Sequence, residues 1–242
     1  MKRYLITFSY DGTNFYGFQK QKDFRSVQDE IEKVLSRINN KKVRICGSGR
    51  TDNKVHAINQ KAHFDFSKEI ELNKFKKAIN SYLPKDIFIK ELEEVDKSFH
   101  ARFDVKKKKY LYILNTKEYN IFENNYVYQY NKDLNIIKMK EAIKLFEGKH
   151  DFKAFKSFEN KNKDNIRTIF ETKLLYNNGK IYITFIADGF LKYQVRNMIG
   201  VLIEIGQETE DCDIILSMLK TKNKLCSNIA NPEGLYLEDV YY

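Results

Sequence analysis

The chain has 242 residues, with 43 Lys+Arg against 33 Asp+Glu and a formal net charge of +10. Its 16 Tyr and 18 Phe, set against only 10 Gly and 2 Pro, supply a folded core and exclude wholly disordered, collagen-like and low-complexity classes. The length allows one large domain or two small ones, and such a chain buries roughly 70% of its unfolded surface without staples.

The first half reads strand, helix, strand, loop, strand, helix, strand. Tyr4–Tyr10 (YLITFSY) predicts a strand, and Asp11-Gly12-Thr13-Asn14 a turn. Ser26 caps a helix running to Ile38, with Asp29 as an imperfect capping box and Val27, Ile31, Val34, Leu35 and Ile38 on one face. Val43–Cys46 is a short strand, Gly47–Lys54 a polar loop, and Ala57–Phe66 a strand. Leu72–Leu83 predicts a second helix closed by Pro84, and Ile87–Glu94 another strand. This order is that of a split βαβ unit, with helices on one face of an antiparallel sheet.

A break is expected near Phe99–Lys109, where VKKKK interrupts the pattern, and the second half then starts again. Lys109–Asn115 predicts a strand, Tyr126–Tyr130 a short one, and Ile136–Phe146 a helix ended by Gly148. Ile169–Tyr176 and Lys180–Ala187 form a hairpin across Asn177-Asn178-Gly179. Phe190–Ile205 reads as a long helix and Ile214–Leu219 as a short one. The expected fold class is therefore α+β, in two ferredoxin-like halves: residues 1–104, carrying the loop around Asp52, and residues 105–242.

The three cysteines, Cys46, Cys212 and Cys226, make no CxxC pair and read as incidental thiols in a reducing compartment. No stretch reaches the roughly 18–20 apolar residues of a membrane span, and Asp11 arrives before any signal-type apolar core has formed. A cytoplasmic protein without membrane partners is expected. A pI near 9.2 points toward a polyanion, although single lysine runs serve equally as solvent cover. The scarcer arginines, Arg50, Arg102, Arg167 and Arg196, are more informative, because guanidinium forks match phosphate and carboxylate geometry.

The most unusual stretch is Cys46-Gly47-Ser48-Gly49-Arg50-Thr51-Asp52-Asn53-Lys54-Val55-His56-Ala57. By chemistry alone, Arg50 beside Asp52 is most simply a salt bridge. The spacing fails both phosphate-loop patterns, and His56, His63, His100 and Asp52 lack zinc-site spacing, so neither a nucleotide cofactor nor a metal is expected.

The same stretch resembles the GRTDxGVHA signature of the bacterial tRNA pseudouridine synthase A family, and the resemblance runs along nearly the whole chain. Tyr10-Asp11-Gly12-Thr13 and Tyr16-Gly17-Phe18-Gln19 are similar to that family's opening YDGTxFxGWQ, with Phe18 in place of the usual Trp. Ser98–Phe103 (SFHARF), Lys109–Tyr112, His150-Asp151-Phe152, Arg167-Thr168-Ile169, Phe190-Leu191 with Val195–Met198, and Pro232–Leu235 follow in the family's order. Asn53-Lys54 departs from the family's Ala-Gly, and Asn231 from a common Pro.

The resemblance implies a homodimeric enzyme that isomerises uridines 38, 39 and 40 of the tRNA anticodon arm without a cofactor, in a central cleft where two sheets join. It implies that Asp52 is the essential carboxylate; attack at the sugar, attack at the base and proton removal all stay open. It implies that Arg50 positions, that Tyr110 lies over the target base, and that Arg196 belongs to the cleft. Tyr112 shares the strand parity of Tyr110, so only motif register favours the latter. Gly12, Phe18 and Gln19 are expected in a turn that touches RNA. A second reading, kept open by Lys54, is a homologue that binds or remodels tRNA without isomerising it.

Overall fold

The computed structural model describes residues 1–157, 164–223 and 228–242. Cys226 lies outside the described residues. In chain order the elements are β1 (Lys2–Tyr10), α1 (Val27–Asn39), β2 (Ile45–Gly47), β3 (His56–Phe66), α2 (Leu72–Tyr82) and β4 (Ile87–Val95). There follow β5 (Lys107–Asn115), β6 (Tyr128–Gln129), α3 (Ile136–Lys144), β7 (Gly148–Asp151), β8 (Ile166–Asn177), β9 (Lys180–Ala187), α4 (Gln194–Gly206), α5 (Asp213–Thr221) and β10 (Leu235–Tyr241). The fold class is α+β. Two compact units divide it, Met1–Lys106 with Tyr236–Tyr242, and Lys107–Leu235. Among the described residues no helix is long and apolar enough to cross a membrane.

In the first unit the strand order is β4-β1-β3-β10, with β2 also on β3. Antiparallel pairing sets Tyr4 opposite Phe64 and Leu5 opposite His63, so alternate residues face opposite sides. On one side Tyr4, Phe64 and Phe66 meet Phe75 of α2 in an aromatic cluster. On the other, Arg3 forks onto Asp65 and donates to the carbonyls of Lys97 and Phe99. The Ser98–Phe103 segment thus covers the face that the helices leave open. Helix α1 starts where its cap predicts, the Ser26 hydroxyl accepting from the Asp29 amide. The Asp29 carboxylate does not return the bond; it pairs with Lys20 and Lys33.

In the second unit β5, β9, β8 and β7 are antiparallel in that order, and β6 lies parallel to β5. Ile181, Ile183, Phe185 and Ala187 of β9 are all buried on one face. The β8–β9 hairpin turns through Asn178 (φ 48) and Gly179 (φ 80), the left-handed pair that favours Asn-Gly. The division between the units falls after Lys106, inside the VKKKK run where the break was expected, but Tyr236–Tyr242, expected in the second half, belongs to the first unit. Lys107, Lys108 and Lys109 belong to β5, two of them in register with β9, and the Lys107 ammonium lies 5.2 Å from the centre of the Phe170 ring. The long helix begins at Gln194 and not at Phe190, because Tyr193 sits at φ 67 and ends any helical continuation before it. Strands β7 and β10 carry no strong local signal and are additions to the sequence reading.

Candidate active site

Asp52 is half-buried in a tight turn that closes when the Val55 amide donates to the Asp52 carbonyl at 3.2 Å. The turn's third residue, Lys54, has φ 62. A side chain resists that conformation by about 1–2 kcal/mol. The loop nevertheless takes the backbone shape that glycine would allow there, with Asn53 and Lys54 both exposed.

The segment after β1 cradles this turn through the main chain. The Phe18 amide donates to the Thr51 carbonyl at 3.2 Å, and the Lys54 amide to the Phe15 carbonyl at 3.3 Å. A Cβ on Gly12 would stand 2.2 Å from the Val55 carbonyl oxygen, and one on Gly17 (φ +92) 2.7 Å from that of Thr51. From beneath, the buried Tyr10 hydroxyl meets the Thr51 hydroxyl at 2.7 Å, and burial pushes the Tyr10 phenol up to about 12. Ser48 donates its hydroxyl to Gln60, whose amide nitrogen donates to the Gly49 carbonyl. His56 is buried, accepts the Gly12 amide at Nδ1 (3.0 Å) and stacks on Tyr236. The same Nδ1 lies 3.3 Å from the Asp11 carboxylate.

Arg50, two residues before Asp52, is exposed, and among the described residues it enters no ion pair, so the simple salt-bridge reading of this pair does not hold. Phe18 is only 2% exposed and stacks on Phe8, so the aromatic expected to touch RNA is core. Gln19 donates to the Gln28 side chain, and Gly12 is buried.

Tyr110 and Arg196 lie in the second unit. Tyr110, 8% exposed, pairs across β5–β9 with Phe185 and meets Phe190 edge-on at 5.1 Å. Tyr112 is fully buried, and its hydroxyl donates to the Asn231 carbonyl at 2.9 Å. The shared parity of the two tyrosines is real, and their burial differs little. Arg196 is half-buried on α4, its Nε donating to the Ala230 carbonyl at 2.7 Å and its guanidinium 5.2 Å from the Tyr193 ring.

Sequence spacing did not reveal that Cys46, His63 and His100 come together, their ligand-type atoms within 4.8 Å of one another. Cys46 and His63 are cross-strand partners on β2 and β3. Both imidazoles accept backbone amides at Nδ1, His63 from Ala101 and His100 from Arg102 and Phe103. Each Nε2 therefore carries hydrogen, and that of His100 faces the Cys46 sulfur at 3.8 Å. N–H groups are presented where a cation would need lone pairs. Burial, with Arg3 and His100 adding to it, lowers the His63 pKa from 6.5 to about 4. Below pH 6.5 the unfolded chain takes up a proton that the folded one refuses. Stability is thus complete above that value and lost progressively as pH falls toward about 4. Thermal unfolding of His63→Gln between these limits should show a flatter pH dependence than the parent; an identical one would mean that His63 is not the group responsible.

A family model described as tRNA pseudouridine synthase matches residues 6–104 and 142–242. The tRNA pseudouridine synthase A of Geobacillus sp. (strain WCH70) is 41% identical over 244 residues, covering 100% of this chain and 98% of the relative. That of Pseudothermotoga lettingae is 42% identical with 98% of each chain covered, and that of Clostridium acetobutylicum 40% identical with 100% of each covered.

Proposed function

Because the chain belongs to the tRNA pseudouridine synthase family, we propose that its reaction turns on the carboxylate of Asp52. The protein is an isomerase that makes pseudouridine in tRNA, and we assign it uridines 38, 39 and 40 of the anticodon arm. The N1–C1′ bond breaks, the base turns, and C5 bonds to C1′. C5 gives up one proton and N1 gains one, so no external group or electron enters the balance. The observation carrying the assignment is the main-chain cradle that holds Asp52 half-buried on a rigid turn. A carboxylate so fixed can meet an electron-poor C1′ or take a proton without first being ordered.

Arg50, exposed on the same loop, is assigned to a phosphate of the displaced nucleotide. Tyr110 is assigned to the target base and its late proton transfer, and Arg196, already fixed by Ala230, to positioning. RNA phosphates supply most of the binding, in keeping with a charge of +10. We place the protein in the cytoplasm as a homodimer. The test is tritium release from tRNA labelled at uridine C5, with the molar mass read by light scattering at physiological salt. Release with a dimer mass is expected. Tight tRNA binding without release would instead select the binder reading, and a monomer mass at micromolar concentration would remove the dimer.

Lys54 joins a strained backbone to an exposed cation, and we assign its ammonium to an RNA phosphate. Lys54→Gly relieves the left-handed strain but frees the unfolded chain, for a net gain of ~0.5–1 kcal/mol. It also removes one phosphate contact, so the slope of log affinity against log salt should flatten by somewhat under about 1 unit. Denaturant midpoints and binding across a salt series check both. A lower midpoint with an unchanged slope would refute the two assignments together.

A further inference from the structure

Tyr16 and Phe24 are aromatic side chains that the fold leaves outside, 52% and 46% exposed. Their rings meet at a tilt, with centroids 4.3 Å apart and planes 35° from parallel. Their loop is closed at its base by the Tyr16 amide on the Arg25 carbonyl and by a bridge between Gln21 and Phe24. The Gln21 side-chain Nε2 donates to the Tyr16 carbonyl at 3.0 Å. Arg25 lies over the buried Phe15 ring and forks onto Asp86, which anchors the loop from below. The pair is therefore held before any ligand arrives, and binding there would cost little ordering.

This loop adjoins the Asp52 turn through the backbone. Residues on either side of Tyr16 carry the contacts already described, the Phe15 carbonyl to Lys54 and the closely packed Gly17 to Thr51. Lys22 and Asp23 within the loop, and Arg50 and Lys54 beside it, are exposed, three cations to one carboxylate. An aromatic surface among unburied cations, next to a carboxylate that acts on a nucleotide, fits a base with its phosphates better than it fits an apolar peptide.

We propose that the Tyr16–Phe24 pair is a stacking platform for an unpaired base of the RNA substrate, adjacent to the nucleotide presented to Asp52. The inference rests on the reading of the chain as a tRNA-modifying enzyme. It differs from the phosphate contacts above in being insensitive to salt, because stacking releases no counterions.

The protein has no tryptophan, so Tyr16→Trp installs a single indole. Unlabelled tRNA should quench that indole saturably and shield it from acrylamide, with N-acetyl-tryptophanamide in the same titration correcting for nucleic-acid absorbance. Tyr16→Ala and Phe24→Ala should each weaken tRNA binding about tenfold, with the log–log salt slope unchanged. Tyr16→Phe keeps the ring and should stay within about twofold of the parent in affinity. An unquenched indole, an unchanged Kd in both alanine variants, or an equal loss in Tyr16→Phe overturns the platform. So does a fall in light-scattering mass in Phe24→Ala, which would make the pair a contact between copies. Tritium release by the parent, run in parallel, separates the two ideas. Quenching without release retires the isomerase reading alone, and release without quenching retires the platform alone.

Discussion

Asp52→Asn is expected to abolish pseudouridine formation, lowering the single-turnover rate by about 10⁴-fold or more, while the fold and much of the tRNA affinity persist. Asparagine has the size of aspartate but neither its charge nor its nucleophilicity. The turn's shape rests on main-chain bonds from Phe18, Lys54 and Val55 and on the close approach of Gly12 and Gly17, all of which survive the substitution. On the binding proposed above, affinity comes from phosphates and bases met by other side chains. The result would therefore be a loss of rate at saturating tRNA with a nearly unchanged Kd. A rate near that of the parent, from protein free of deamidated variant, would show that some other group acts on the sugar. A rate loss matched by a loss of fold, read by circular dichroism, would instead make Asp52 structural.

The features legible in the sequence are those written locally. Asn177-Asn178-Gly179 announces its hairpin because two left-handed residues are needed within the turn itself. Ser26 announces α1 because an N-cap acts within three residues. The Asp52 turn was legible only through its motif, since nothing near Gly12 in sequence discloses that the Val55 carbonyl will press on it. Strand β10 was illegible for a related reason. Glu238 and Asp239 interrupt its alternation, and its partner β3 is remote in sequence and parallel, so no turn advertises the pairing. Likewise Cys46 and His63 become neighbours only through strand register, and His100 only because its segment covers the open face of the sheet. Phe18 is core and not an RNA contact for want of one fact: the left-handed Gly17 sets it apart from Tyr16, with Phe18 inside and Tyr16 outside.

Tyr110→Phe should lower the single-turnover rate by about 10²–10³-fold while sparing RNA binding and stability, the magnitude usual for a lost general acid or base. The substitution keeps the ring that meets Phe190 edge-on and that faces Phe185 across the sheet, so packing is preserved. Tyr112→Phe is the discriminating control, because the two residues share a strand, a face and near-complete burial. Its hydroxyl has a structural partner, the Asn231 carbonyl. Deleting it strands that acceptor and should cost about 1–3 kcal/mol of stability. The chemical step should then change little at a temperature where the variant is folded. The two variants are thus expected to split cleanly, one losing rate and the other losing melting temperature. If Tyr110→Phe matched the parent rate, its phenol would have no part in proton transfer and the side chain would be a wall of the core. If Tyr112→Phe lost the rate instead, motif register would have selected the wrong member of the pair.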